Sequence, residues 1–330
     1  MSIRYSIAKS ALRVLGFKKM FQLPLNRLII KAEHLNKNRN FQIPKNRKYI
    51  YNDIPIMNGK YHCLSIQKHQ QRTEKAILFF FGGGMIIGPD GGDVKCAGEY
   101  GADCNMDVWF PYYPLCTRNS ILETYKMVFD TYRKMVAVYG AENITLLGFS
   151  SGAALAIGVC LYNNTLDHPL PMPHRIVACS PGCCPDSNVQ LNKMKELNAK
   201  DIMVDVAFME NVRTLMQHGE SVPDYMLSGT LGNFKGLPDI HFWYGSDEVL
   251  YACAENFVKA CKAENVTYTL NVGKGMCHCY PMVSFFPEGK SAHKEICQKI
   301  CENKNIFISI VFHCLCNLFS SINFVIMLLN

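Results

Sequence analysis

From residue 76 to about residue 300, short apolar runs alternate with helical patterns, and that alternation restricts the folds open to this 330-residue chain. Residues 76–81, 107–113, 144–147, 175–180, 240–244 and 268–272 read as strands. The first of them, Ala-Ile-Leu-Phe-Phe-Phe, contains no polar side chain, as expected of a strand buried on both faces. Between the strands, residues 120–139 place Ile121, Tyr125, Val128, Tyr132 and Met135 on one helical face. Further helices are expected from Ser151, over the polar stretch 188–218, over 251–264 and from Ser291. Strand and helix in alternation predict an α/β fold, a mostly parallel sheet covered by helices on both faces. A hairpin over 48–54 and 60–67, turning at Met57-Asn58-Gly59, adds an antiparallel edge. In such sheets the ligand sits beyond the carboxyl ends of the strands. Attention therefore falls on the strand-end loops. Gly88, Gly91 and Gly92 read as ordinary loop glycines.

Composition narrows the class further. With 49% hydrophobic and 18% charged residues, the chain can bury a large core and is not a disordered or fibrous protein. Its sixteen cysteines show no disulfide framework, since several are adjacent or nearly so; they read as reduced thiols, which suits a cytoplasmic protein. The formal charge of +7 is unevenly spread. Residues 1–48 carry +11, and the remainder sums to −4. Two amphipathic helices are expected there, over 5–15 and 24–36. A basic amphipathic segment suits anionic lipid or an acidic partner; the alternative is a solvated face on helices packed against the body. The slightly acidic body and the lack of a binding module argue against nucleic acid. No uninterrupted apolar core of a secretory signal precedes Arg13. Residues 304–330 are almost free of charge and long enough for a span, but Ser and Asn dilute them. They read as a weak anchor, an appended helix or an unrelated tail. The chain thus divides into a basic helical segment (1–45), a main α/β domain (46–303) and an apolar tail (304–330), its oligomeric state open.

Four groups of residues carry chemistry. Gly148-Phe149-Ser150-Ser151-Gly152 lies between an apolar strand and a helix. A sharp strand-to-helix turn lifts the serine clear of its backbone, and flanking glycines relieve the crowding. The spacing to both glycines selects Ser150 as nucleophile over Ser151. Phe81-Gly82-Gly83-Gly84 ends a strand, and its bare backbone can aim N–H groups at an oxyanion. Gly82, Gly83 and Ser151 are the expected donors. His278, in Gly275-Met276-Cys277-His278, is the expected base. Asp247, in Gly245-Ser246-Asp247-Glu248, is preferred over Glu248 as its orienting acid because it lies nearer the strand end. The chain order Ser, Asp, His is that of α/β hydrolases. Cys277 and Cys279 flank His278, but neighbours in an extended loop point different ways, so no metal site is expected there.

These residues resemble the hormone-sensitive-lipase-like esterases. Phe81-Gly82-Gly83-Gly84 is similar to that family's His-Gly-Gly-Gly stretch, and Gly148-Phe149-Ser150-Ser151-Gly152-Ala153 to its Gly-Asp-Ser-Ala-Gly elbow. Ser180-Pro181, Asp247 and His278 follow in the family's order. The resemblance, over about residues 60–300, implies an α/β-hydrolase core, a helical cap that includes residues 1–45, and hydrolysis of short- to medium-chain carboxylic esters. No cofactor is required. Phe81 replaces the family's histidine, Phe149 an acidic residue, and Tyr113-Pro114-Leu115-Cys116-Thr117 is a reduced form of its Tyr-Arg-Leu-Ala-Pro-Glu stretch. The same triad would also serve an amidase, a peptidase or an acyltransferase, and the fold can be a binding scaffold without catalysis.

Overall fold

The structure, a computed structural model, describes residues 1–182 and 184–302. The apolar segment 304–330 lies outside the described residues.

Eight strands form one sheet: β1 (Ile50–Ile56), β2 (Tyr61–Gln67), β3 (Ala76–Phe80), β4 (Asp107–Pro111), β5 (Ile144–Phe149), β6 (Arg175–Cys179), β7 (Asp239–Gly245) and β8 (Tyr268–Gly273). They lie in the order β1-β2-β4-β3-β5-β6-β7-β8. β1 and β2 pair antiparallel through the expected hairpin, β2 pairs antiparallel with β4, and every other neighbour is parallel. Each residue of β3, β4, β5 and β6 is buried, which is why these segments read as continuous apolar runs rather than alternating ones. Phe80 pairs with Gly148, Gly148 with Ala178 and Ala178 with Phe242. That register brings the ends of β3, β5, β6 and β7 to one edge.

Helices cover both faces. α4 (Gly91–Cys104) packs against α11 (Pro287–Cys301), and α5 (Ile121–Tyr139) against α6 (Ser151–Asn163). α6 is buried on nearly all sides, and its sequence is correspondingly apolar all round. α10 (Ala254–Ala263) packs against β8 and follows a 3₁₀ turn over Val249–Cys253, so the helix expected at 251 starts later. α4 corrects the reading of Gly91 and Gly92 as loop residues. Asp90 caps the helix through the N–H groups of Gly92 and Asp93, and Asp93 returns a bond to the Asp90 N–H. This capping box offsets the poor helix propensity of the two glycines.

Two further sets of helices lie at the strand-end edge. The basic N-terminal segment forms α1 (Ile3–Leu15), α2 (Phe17–Phe21) and α3 (Leu25–Asn36). The polar stretch between β6 and β7 forms α7 (Asn188–Asn198), α8 (Val206–Gln217) and the short α9 (Asp224–Leu227). α1 is anchored by Tyr5, whose hydroxyl donates to the Gly275 carbonyl at 3.0 Å and whose ring meets Phe286 edge-on at 5.0 Å. α2 packs on α8, with Phe21 edge-on to Phe208 at 4.9 Å. Lys18 donates to the Asp201 carbonyl and pairs with Asp205.

Candidate active site

Ser150 sits between β5 and α6 with φ 55° and ψ −124°. A side chain in that region is strained, and the surrounding structure must over-determine it. Two glycines make the turn possible. A Cβ on Gly148 would lie 2.2 Å from the Gly152 carbonyl oxygen, and one on Gly152 would lie 2.2 Å from that of Phe81. The elbow therefore presses directly onto the end of β3, and neither glycine admits a side chain. The Ser150 N–H is tied to the Cys179 carbonyl of β6 at 2.8 Å, fixing the turn to the next strand.

His278 arrives from the loop after β8, and its Nε2 lies 2.9 Å from Ser150 Oγ. Its Nδ1 meets Glu248 Oε2. The carboxylate that meets the ring is therefore Glu248, one residue beyond the expected Asp247. Asp247 faces the other way and pairs with Lys9 of α1 at 2.7 Å. Glu248 is fully buried; its Oε1 accepts from the Gly245 N–H at 2.7 Å and from Ser180 Oγ at 2.9 Å. The Ser180 oxygen in turn accepts from the Cys279 N–H at 3.1 Å, which locks the acid loop to the histidine loop. Proximity to the strand end could not reveal this. A glutamate's extra methylene lets it reach back under the histidine from one position later, and Ser180, 68 residues away in sequence, supplies the hydroxyl that receives it.

Burial raises the Glu248 carboxyl above the ordinary glutamic acid value, with the His278 ring working against it. For His278, burial weighs against the charged ring, but the Cys279 sulfur and the Glu248 carboxylate outweigh it, leaving the ring's pKa above the ordinary 6.5.

The glycine loop lies beside the nucleophile. Gly82, Gly83, Gly84, Ser150 and His278 share one cavity. Among the described residues, none accepts a hydrogen bond from the N–H of Gly82, Gly83 or Ser151. Gly83 adopts φ 118°, and its carbonyl accepts from Ile86 and Ile87, curling the loop around the site. Met85 N–H donates to Ser151 Oγ at 3.3 Å, which gives the second serine of the elbow a bracing position. Phe81 is fully buried and stacks on Tyr113, with ring centroids 4.1 Å apart and planes within 1°. The Tyr113 hydroxyl donates to the Phe81 carbonyl at 2.7 Å. Stacking plus one backbone bond thus anchors the loop where the resemblance leads one to expect a histidine.

The cavity that Ser150, His278 and the glycine loop share has a volume of about 270 Å³ and is walled mostly by apolar side chains, among them Phe17, Phe21, Phe208, Met209, Val212 and Met216. α2 and α8 supply all six. The loop is not extended as expected: Cys277 turns toward Tyr5, whereas Cys279, in the left-handed region at φ 53°, places its sulfur 3.5 Å from His278 Nε2 and 4.0 Å from the Cys179 carbonyl.

Residues 77–282 match the family described as alpha/beta hydrolase fold. The chain belongs to that family. Solved structures share its architecture at low identity. An esterase/lipase from an uncultured bacterium superposes with a TM-score of 0.76 at 20% identity, covering 91% of this chain and 98% of its own. A hormone-sensitive lipase from a metagenome library gives 0.73 at 21%, covering 89% and 97%. An esterase of the bacterial hormone-sensitive lipase family gives 0.75 at 19%, covering 91% and 98%. No curated protein sequence is significantly similar to the chain. Among the described residues, no helix is long and apolar enough to cross a membrane.

Proposed function

We propose that the protein is a serine carboxylesterase acting on small-molecule esters with short to medium acyl chains, through Ser150, His278 and Glu248. The observation that carries this reading is the relay from Ser150 Oγ to His278 Nε2 and from His278 Nδ1 to a fully buried carboxylate. His278 Nε2 takes the serine proton as Oγ attacks the ester carbonyl, and Glu248 holds the ring's other proton on Nδ1 and steadies the imidazolium. The N–H groups of Gly82, Gly83 and Ser151 receive the oxyanion, and the dipole of α6 adds to their effect. The imidazolium returns its proton to the departing alkoxide. Water, deprotonated by the same ring, then attacks the acyl-enzyme and frees the acid and Ser150.

The apolar cavity supports an acyl chain rather than a polar group. Its volume lies below the roughly 300–1,000 Å³ usual for ligand pockets, which favours short and medium chains over long ones. Fluorophosphonate labelling of the wild type, followed by hydrolysis of p-nitrophenyl esters of increasing length, tests the reading. Labelling with a maximum at short or medium chains supports it. Labelling without ester turnover redirects it to amides or acyl transfer, and no labelling leaves a binding scaffold.

The outer face of α1 favours contact with an anionic lipid surface. Ile3, Ile7 and Val14, at i, i+4 and i+11, are 80%, 62% and 86% exposed, and Arg4 and Arg13 are exposed beside them. Phe17, just beyond, is 54% exposed and also lines the cavity, so this face adjoins the acyl pocket. Co-sedimentation with phosphatidylserine vesicles but not phosphatidylcholine vesicles, reduced by Ile7→Glu, is the expected result; equal binding to both, or to neither, would overturn it.

A further inference from the structure

The last turn of α4 and one face of α11 bring together side chains that the hydrolytic reaction leaves unused. Asp103 and Cys104 end α4, and His293, Cys297 and Cys301 recur every fourth residue along α11. His293 Nε2 lies 2.9 Å from Asp103 Oδ2. One ligand atom each from Asp103, His293 and Cys297 lie within 4.8 Å of one another. The Cys104 sulfur lies 4.0 Å from the Cys297 carbonyl oxygen, which brings a second thiol beside the group. We propose that Asp103, Cys104, His293 and Cys297 bind one zinc-like divalent cation that ties α4 to α11.

The donor set selects the ion. Two sulfurs and an imidazole suit zinc and its tetrahedral relatives and disfavour magnesium and calcium, which take oxygen ligands. Zinc sits about 2.0–2.3 Å from such atoms, which places the ligands roughly 3.3–3.8 Å apart. The Asp103, His293 and Cys297 atoms, within 4.8 Å of one another and 2.9 Å apart at the closest pair, need only small rotations to reach that spacing, and Cys104 completes the set by turning its sulfur from the Cys297 carbonyl toward them. The frame is already built. The Tyr100 ring lies against His293 at a centroid distance of 4.1 Å, and Asn105 ends α4 in the left-handed region at φ 53°. The Cys301 thiol, directed at the Cys104 carbonyl at 3.9 Å, lies at the margin and is not one of the four. Binding displaces the two thiol protons to solvent, and the neutral His293 ring carries its single proton on Nδ1, leaving Nε2 for the ion. Four protein ligands leave no open position, so the ion is structural and takes no part in ester hydrolysis. No metal site was expected from sequence because the ligands come from two helices about 190 residues apart, and the regular spacing on α11 shows two of them but not the partner turn.

The test uses the full chain, reduced with a phosphine, stripped with a chelator and desalted. Cobalt(II) is titrated in and followed by absorption, and zinc is then competed against a chromophoric chelator. The expected result is one equivalent of cobalt with a sulfur-to-metal charge-transfer band, displaced by zinc. Cys297→Ser should abolish the band. His293→Gln and Asp103→Asn should weaken zinc binding at least about tenfold. Zinc should raise the melting temperature of the wild type but not of Cys297→Ser, and ester turnover should be the same in all of them. His293→Gln serves if Cys297→Ser does not fold, as judged by circular dichroism. The proposal is overturned if no band forms, or if the band persists in both Cys297→Ser and His293→Gln, which would place the metal on other thiols. It is equally overturned if the reduced protein takes up no metal while air oxidation joins Cys104 to Cys297.

Discussion

The nucleophile elbow and the acid loop are both turns at the end of a parallel strand, yet they are built in opposite ways. At 148–152 the conformation is set locally. Gly148 and Gly152 leave no room for any Cβ, and the only side chain that can stand free is Ser150. At 245–248 two carboxylates stand side by side, and nothing local decides between them. Lys9, from a helix at the other end of the sequence, draws Asp247 outward, while Ser180 and the Gly245 N–H draw Glu248 inward. A site made by the absence of side chains is carried by the motif; a site made by competition among partners is carried by the fold.

The largest effect is expected at the elbow. Ser150→Ala should lower ester turnover by about a million-fold, the scale on which removing the nucleophile of such a triad acts, with the fold unchanged by circular dichroism. Retained turnover, or retained fluorophosphonate labelling, would mean that the elbow does not carry the nucleophile and that its strained backbone serves another purpose.

The acid loop comes next. Glu248→Gln keeps the shape of the side chain but removes the charge that stabilises the imidazolium, and a loss in kcat of about ten-thousand-fold is expected. The same replacement one residue earlier should leave kcat within a few-fold. If Asp247→Asn proved the more damaging, the assignment of the acid would return to the position expected from sequence.

How much of this was legible follows the same division. The parallel sheet, the hairpin and the positions of Ser150, His278 and the glycine loop at strand ends could be read because each depends on residues within a few positions of one another. The α4 helix was missed because Gly91-Gly92 outweighed the Asp90 and Asp93 cap that encloses them. Asp247 was preferred to Glu248 because the sequence gives the distance from the strand end but not the position of Ser180. Phe81 could be seen to depart from the family pattern, but its stacking on Tyr113 joins residues 32 positions apart.

The electrostatics of the acid loop make a third prediction. His278 must be neutral to accept the serine proton, and its pKa lies above 6.5 because the Cys279 sulfur and the Glu248 carboxylate outweigh burial. The rate therefore rises with pH as the ring loses its proton, and the acid limb of kcat/KM for a p-nitrophenyl ester should have its midpoint above pH 6.5. A midpoint below that value would mean that burial dominates and that the carboxylate is a weaker partner than its position implies.

The smallest effect belongs to the outward acid. Asp247 and Lys9 are each about one-fifth exposed, so their attraction is partly screened. Asp247→Asn and Lys9→Ala should each cost about 1 kcal/mol or less of stability, read by denaturant unfolding. Their effect on catalysis should appear in KM rather than kcat, because the pair fastens α1, and through it the helices whose Phe17 and Phe21 line the acyl cavity, rather than the histidine. The double variant should cost no more than about the larger single one, since each change alone already breaks the same pair. An additive double variant would show that the pair does not hold Asp247 outward, and a loss of kcat that Asp247 reaches the reacting atoms after all; either would erase the contrast between the two carboxylates.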